Sequence, residues 1–283
     1  MSRICILTDN TAQFHNPVYP GHQLVYSLPT SLQLNGRNWK NLSRLKLSDF
    51  PRSAIDGSHP KLLAPSSEEI QQTLEKLCHK YGEIIALLAS PHMNPTISKI
   101  INVNNASGKK YPIRVIDSQT TAVGLGLLVQ IAAEAAMQDS PAEEIVRLLR
   151  KYILHIYAIF VTQSLTYLHQ AGIIDPGQAL VGEIYKITPI FFLDKGRPVP
   201  IQKARSSRHL ADILFEFISE FDNLSHIALI QGNHPFQSSV KHFCERVKKE
   251  FKTTQFQQHY LDPGLASFFG PGCLGLIAME QNL

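Results

Sequence analysis

The chain has 283 residues, of which 44% are hydrophobic and only 18% charged, with a formal charge of +4. Ordinary soluble domains carry roughly 25% charged residues, so this composition excludes a disordered tail. It also lacks the run of about 20 apolar residues that a membrane span needs: the closest stretch, residues 123–137, is interrupted by Gln130 and Glu134.

The length allows one large or two medium domains, each able to bury a core without a metal or disulfide staple. Lys and Arg are scattered. Their densest cluster, residues 246–252, reads as a solvated helix face, so no nucleic acid and no membrane insertion are expected. The start is strand-like and ends in Asp9, with no signal-peptide cleavage pattern. Cys5, Cys78, Cys244 and Cys273 form no Cys-x-x-Cys pair and read as reduced thiols of a cytoplasmic protein. The twelve histidines show no ligand spacing, so neither a metal nor another cofactor is expected.

Taken in order, residues 4–9 read as a buried strand and 23–28 as a second. Residues 47–54 read as a short helix. Ser66 with Glu69 forms a capping box, and Ile70, Leu74 and Leu77 then share one helical face. A strand follows at 83–89, a helix at 94–105, a strand at 111–117 and a long helix at 120–137. Ser140-Pro141 opens one more helix. Strands alternating with helices mean βαβ units and a mostly parallel sheet, which binds ligands in the loops beyond its strand C-termini. Those loops hold residues 8–11, 90–96 and 117–120.

The second half changes character. Strands are expected at 156–161, 187–193 and 198–201, the last two joined by a hairpin turn at 194–197. A helix at 207–221, a strand at 226–230, a helix at 235–251 and strands at 255–261 and 273–279 complete the chain. The fold class is α/β: a domain over 1–155 with a mostly parallel sheet, and one over 156–283 with a mixed, partly antiparallel sheet.

No phosphate-binding loop, dinucleotide fingerprint or nucleophile elbow is present. Gly124 and Gly126 fall inside a helix pattern and read as close packing. In the 90–96 loop, Asn94 suits the N-cap and Pro95 the first helical position. Read alone, the loop is either simple capping or an anion-binding corner built from first-turn amides and the Thr96 hydroxyl.

In order and spacing these pieces resemble the DegV family of bacterial fatty-acid-binding proteins. Residues 6–12 (ILTDNTA) resemble its I-x-T-D-S-T-A, and Pro29 with the Asn35-Gly36 turn sits where its P-L-x-V…D-G segment lies. Residues 90–96 resemble S-S-x-L-S-G-T, and 115–118 (VIDS) resemble V-x-D-S, followed by Gly124 and Gly126. Residues 165–172 are similar to L-x-x-L-x-x-G-G-R, and 187–190 (ITPI) to I-K-P-I. Lys203-Ala-Arg205 is similar to K-x-R, and 270–272 to the closing G-P-G.

The resemblance implies two α/β domains with one fatty acid between them, its carboxylate held by polar loops and its chain in an apolar tunnel. It implies a protein with no chemistry of its own, and in some members presentation of the acid to a separate acyl kinase. Carried onto this chain, Asn94, Thr96, Ser90 and His92 hold the headgroup, with Asp9, Asp117 and Ser118 in supporting loops. Leu62, Leu63, Ile173 and Phe268 line the pocket. Leu62 stands where the family has a carboxylate-binding threonine, Asn94 where it has serine and Pro95 where it has glycine. Ile173 stands for its arginine and Phe268 for its histidine, which argues against cooperation with a kinase. The headgroup is then held differently, the ligand is less acidic, or the pocket is lost. Two other functions stay open. One is an enzyme, a phosphotransferase or hydrolase on acyl substrates, using Asp9, Asp117, Ser118, Thr96 and His92. The other is a structural or regulatory protein that docks a partner on an apolar patch.

Overall fold

The computed structural model describes residues 4–54, 59–233 and 236–281. Its contacts divide the chain into two compact units. The first comprises residues 1–32, 62–154 and 195–197; the second comprises 33–61, 155–194 and 198–283.

The first unit is built on a sheet of four parallel strands in the order β2-β1-β6-β7. These are β1 (Ile4–Asp9), β2 (Val25–Leu28), β6 (Glu83–Leu88) and β7 (Ile113–Asp117). β1 is buried along its whole length and β6 nearly so. A parallel sheet is covered on both faces, so its central strands read as unbroken apolar runs. The covering helices are α1 (Ser67–Cys78), α2 (Thr96–Ala106), α3 (Ala122–Met137) and α4 (Ala142–Ile153). α1 begins with the expected capping box: the Ser66 hydroxyl accepts from the Glu69 amide, and the Glu69 carboxylate accepts from the Ser66 amide. Ile70, Leu74 and Leu77 form its buried face.

α3 is buried almost all round, which its alanines and glycines permit. A Cβ built on Gly126 would lie 1.9 Å from the carbonyl oxygen of Gln13. The close-packing reading of this glycine is therefore correct, and its partner is backbone rather than another helix. Gly126→Ala is expected to cost about 2 kcal/mol, because a backbone carbonyl cannot rotate away as a side chain can. Urea unfolding followed by circular dichroism checks this; a loss under about 0.5 kcal/mol would show that the 13–14 segment moves freely.

A small sheet of three strands runs in the order β4-β3-β5. Its members are β3 (Ser31–Leu34), β4 (Arg37–Trp39) and β5 (Lys61–Leu63). Asn35 and Gly36 turn β3 into β4 with φ of 51° and 74°, the two left-handed residues of a type I′ hairpin. The helix expected over 47–54 is only a single 3-10 turn at Leu47–Asp49. Pro51 ends it, and Phe50 is already extended.

The second unit holds a mixed sheet of six strands in the order β10-β9-β8-β13-β11-β12. They are β8 (Ile156–Val161), β9 (Thr188–Asp194), β10 (Arg197–Ala204), β11 (Leu224–Gln231), β12 (Gln255–Tyr260) and β13 (Leu274–Glu280). β8 pairs antiparallel with β9 and β13, as does β13 with β11, whereas β11 and β12 run parallel. Lys195 and Gly196 make the expected hairpin turn, with φ of 48° and 79°.

α7 (Ser207–Ser219) and α8 (Gln237–Glu250) pack on one face, over Ile159, Val161, Ile190, Leu229 and Leu276. The start expected for α8 at Pro235 lies outside the described residues. The alternating residues face the other way, where Phe160 stacks on Phe269 at 4.6 Å between ring centroids and Phe191 lies 6.5 Å from the same ring.

Three short helices have no counterpart in the sequence reading: α5 (Leu165–Gln170), α6 (Pro176–Ile184) and α9 (Pro263–Phe269). Two of them carry an Asp-Pro start signal. Asp175 caps Gln178 and Asp262 caps Gly264 and Leu265, with the proline at the first helical position each time. Apolar periodicity over six to nine residues is too short to reveal such helices.

Candidate functional site

Because β1, β6 and β7 run parallel, the loops that follow them emerge at one edge of the first unit's sheet. Backbone bonds tie these loops together. The Ser90 amide donates to the Thr120 carbonyl (3.0 Å) and the Ser118 amide to that of Leu88 (3.1 Å).

Asp9 is the central tie. It is fully buried, and one carboxylate oxygen accepts from the Thr11 amide (3.0 Å) and the Thr11 hydroxyl. The other oxygen accepts from the Ala89 amide at 2.9 Å. Burial pushes its pKa above the ordinary carboxylate value. The Thr11 hydroxyl, the Ala89 and Thr11 amides and the nearby Asn94 carboxamide pull in the opposite direction.

Asn94 and Thr96 are buried beside it. The Asn94 side-chain oxygen accepts from the Thr96 amide at 3.0 Å and from the Thr96 hydroxyl at 2.7 Å. Asn94 thus caps α2 with its side chain, although the backbone turns helical only at Pro95. Both Thr96 donors are consumed within the loop. The amides of Ile97 and Ser98, in the first turn, have no carbonyl of their own helix to bond. The Asn94 carboxamide nitrogen is close enough to Asp9 to favour its charged form, but it makes no hydrogen bond of acceptable geometry.

Ser90 is buried, accepts from the His92 amide (3.3 Å), and is approached by Gly196. A Cβ at Gly196 would lie 2.4 Å from the Ser90 hydroxyl oxygen, so this turn tolerates only glycine. Ser118 is also buried and donates to the Thr120 carbonyl at 3.2 Å. Asp117 is half-buried. Burial raises its pKa, while the Gln119 amide and the charge of His92 oppose the rise. His92 itself is exposed. Among the described residues, no serine or threonine hydroxyl of these loops is hydrogen-bonded to it, so the arrangement offers no nucleophile–base pair.

The remaining expected residues lie elsewhere. Leu62 and Leu63 are half-buried on β5, outside this polar network. Ile173 and Phe268 belong to the second unit. Ile173 follows Gly172, whose φ of 72° ends α5, and its amide caps the Leu168 carbonyl at 2.9 Å. Phe268 is 9% exposed and lies edge-on to Phe269 at 5.0 Å.

Two polar atoms escaped the sequence reading as site components. The hydroxyls of Thr8 and Thr120 are buried and, like the Asn94 nitrogen, have no partner. Both residues sit in the loops that strand topology selects, but which of their atoms would be left unpaired is decided by side-chain packing. Among the described residues there is no cluster of side chains suited to a metal ion, and no helix is long and apolar enough to cross a membrane.

These features define a two-unit α/β protein whose parallel sheet ends in a buried cluster of polar loops. The family model described as "Uncharacterised protein, DegV family" matches residues 3–281, and the chain belongs to the DegV family. A DegV domain-containing protein of Caldanaerobacter subterraneus subsp. tengcongensis is 22% identical over 285 residues, covering 99% of this chain and all of the relative. Among solved structures, the fatty acid binding DegV family protein of Streptococcus agalactiae matches with a TM-score of 0.81 at 20% identity, covering 100% of both chains. The Fatty Acid Kinase (Fak) B3 protein of Streptococcus pneumoniae, loaded with linoleic acid, matches with a TM-score of 0.79 at 18% identity, covering 99% of each.

Proposed function

We propose that this protein is a non-catalytic carrier of a fatty acid or a similar long-chain acid, with the headgroup at the loop cluster of the first unit. The observation that carries this reading is the set of buried, unpartnered polar atoms there: the Asn94 nitrogen and the Thr120 and Thr8 hydroxyls. A buried polar group without a partner costs about 1–3 kcal/mol, and a carboxylate, which only accepts, complements all three as donors. The Ile97 and Ser98 amides at the start of α2 add to the same side of the balance. Family membership and the fatty acid binding named for the solved relatives support the ligand class.

In this reading Asn94 donates through its nitrogen while its oxygen holds Thr96. Ser90, Ser118 and Asp9 fix the loops, and His92 with Asp117 borders the entrance. Leu62 and Leu63 supply apolar neighbours for the chain. Likeness to the Fak B3 protein supports a separate acyl kinase as partner; Ile173 and Phe268 would then serve that partnership without the charge that the family resemblance places at these positions. Four free cysteines suit a reducing, cytoplasmic compartment.

Organic extraction of the purified protein followed by mass spectrometry is expected to release a long-chain acid. Thr120→Val is expected to weaken binding of a fluorescent fatty acid about fivefold and to leave folding stability intact, because the hydroxyl lost had no partner in the empty protein. A protein that yields no lipid and does not bind the fluorescent acid would refute the proposal.

A further inference from the structure

The second unit contains a polar cavity that the fatty-acid reading does not use. It has a volume of about 220 Å³ and lies where β9, the end of β10 and the first turns of α7 and α8 meet. Lys186, Thr188, Arg205, Ser206, Ser207 and Ser239 supply its polar lining, and none of the described lining residues is acidic.

Its electrostatics favour an anion. Ser206 caps α7, accepting from the His209 amide at 3.1 Å, while the Leu210 amide bonds the Ser206 carbonyl at 2.9 Å. The amides of Ser207 and Arg208 therefore have no carbonyl of their own helix, and the positive end of the helix dipole lies at the cavity. The Ser206 hydroxyl accepts in the cap, so its proton is available to a ligand.

A second, independent observation comes from α8. Ser239 is completely buried, lines the cavity and has no partner for its hydroxyl. Helix serines commonly place their hydroxyls on backbone carbonyls; this one has no protein partner and is closed off from bulk solvent. Two cations, three serine hydroxyls and a helix N-terminus form the donor set that a phosphate oxygen cluster requires. Gln163 lines this cavity and also a larger one of about 670 Å³ that includes Arg52, Ser164 and Asn233, so the two adjoin.

We infer that the cavity bounded by Arg205, Lys186 and Ser239 binds a phosphate dianion, carried by a phosphomonoester whose body extends into the adjoining cavity or present as the free ion.

Isothermal titration of the full-length protein with inorganic phosphate and, separately, with adenosine monophosphate tests this at constant ionic strength. Saturable binding of at least one probe is expected, and tighter binding of the monophosphate assigns the ester as the source. Arg205→Gln is expected to weaken the binding about tenfold. Ser239→Ala should weaken it about threefold while raising the melting temperature of the unliganded protein, since it removes an unsatisfied buried hydroxyl. Absence of binding of either probe up to about 10 mM overturns the inference, as does binding that neither variant alters.

Discussion

Asp9→Ala is expected to destabilise the protein by about 3 kcal/mol at neutral pH. The carboxylate is the acceptor for the Thr11 and Ala89 amides and for the Thr11 hydroxyl, all in buried surroundings. Removing it strands two backbone donors at about 1–3 kcal/mol each, partly offset by no longer burying a charge. The loss also has a pH dependence whose sign follows from linkage. Asp9 has a raised pKa in the folded chain. Its contribution to stability is therefore complete below the unfolded value and declines as pH rises through the folded value. The alanine variant lacks this titration, so its deficit is greatest in acid and shrinks toward neutrality. Urea unfolding at about pH 4, pH 5.5 and pH 7 checks both points. A deficit that grows with pH would show that Asp9 is held below its ordinary value, and a deficit near zero would show that water replaces the carboxylate. Because Asp9 ties the 9–11 loop to Ala89, directly before the 90–96 loop, fatty-acid binding should fall with it.

Phe269→Ala is the second large effect, at about 4 kcal/mol. The ring is fully buried, stacks on Phe160, and contacts Phe191 and Phe268. Truncating a buried aromatic costs about 3–5 kcal/mol, from lost transfer energy and the cavity left behind. Two local features limit relaxation. Gly275 already brings the β13 backbone against Phe160, where a Cβ would lie 2.7 Å from the ring. The Phe269 carbonyl is also held by the Thr162 hydroxyl at 2.6 Å. Trp39, the only tryptophan, belongs to the second unit and gives its unfolding a fluorescence signal. A loss of less than about 1.5 kcal/mol would show that the neighbouring rings refill the space.

The apolar excess of the chain is explained by the burial pattern. β1 and β6 are covered on both faces and α3 on nearly all sides, so polar positions are withdrawn from elements that would otherwise show one solvated face. The same burial makes the polar residues that remain inside, such as Thr8, Asp9, Asn94 and Thr120, the most informative ones in the first unit.

Elements whose cause is local are legible in the chain order alone. The Ser66–Glu69 box starts α1, the unbroken apolar runs make β1 and β6 central, and Asn35-Gly36 and Lys195-Gly196 turn their hairpins because those residues tolerate positive φ. The order of these elements carried the family and the parallel sheet, and with them the edge where the polar loops gather. Short helices with little periodicity, α5, α6 and α9, were not legible, and the expected helix at 47–54 shrank to one turn.

Side-chain packing across the closed sheet sets which polar atoms of the gathered loops are consumed. Thr96 spends its donors on Asn94 and Ser118 on Thr120, while the Asn94 nitrogen and the Thr120 hydroxyl are left over. It likewise decided that Ser239, one of the chain's many serines, is sealed against a basic cavity. Capping and strand formation depend on residues three or four apart, so the chain order suffices for them. Hydrogen-bond satisfaction depends on atoms brought together from distant positions, such as Asp9 and Ala89, and exists only once the sheet has closed around them.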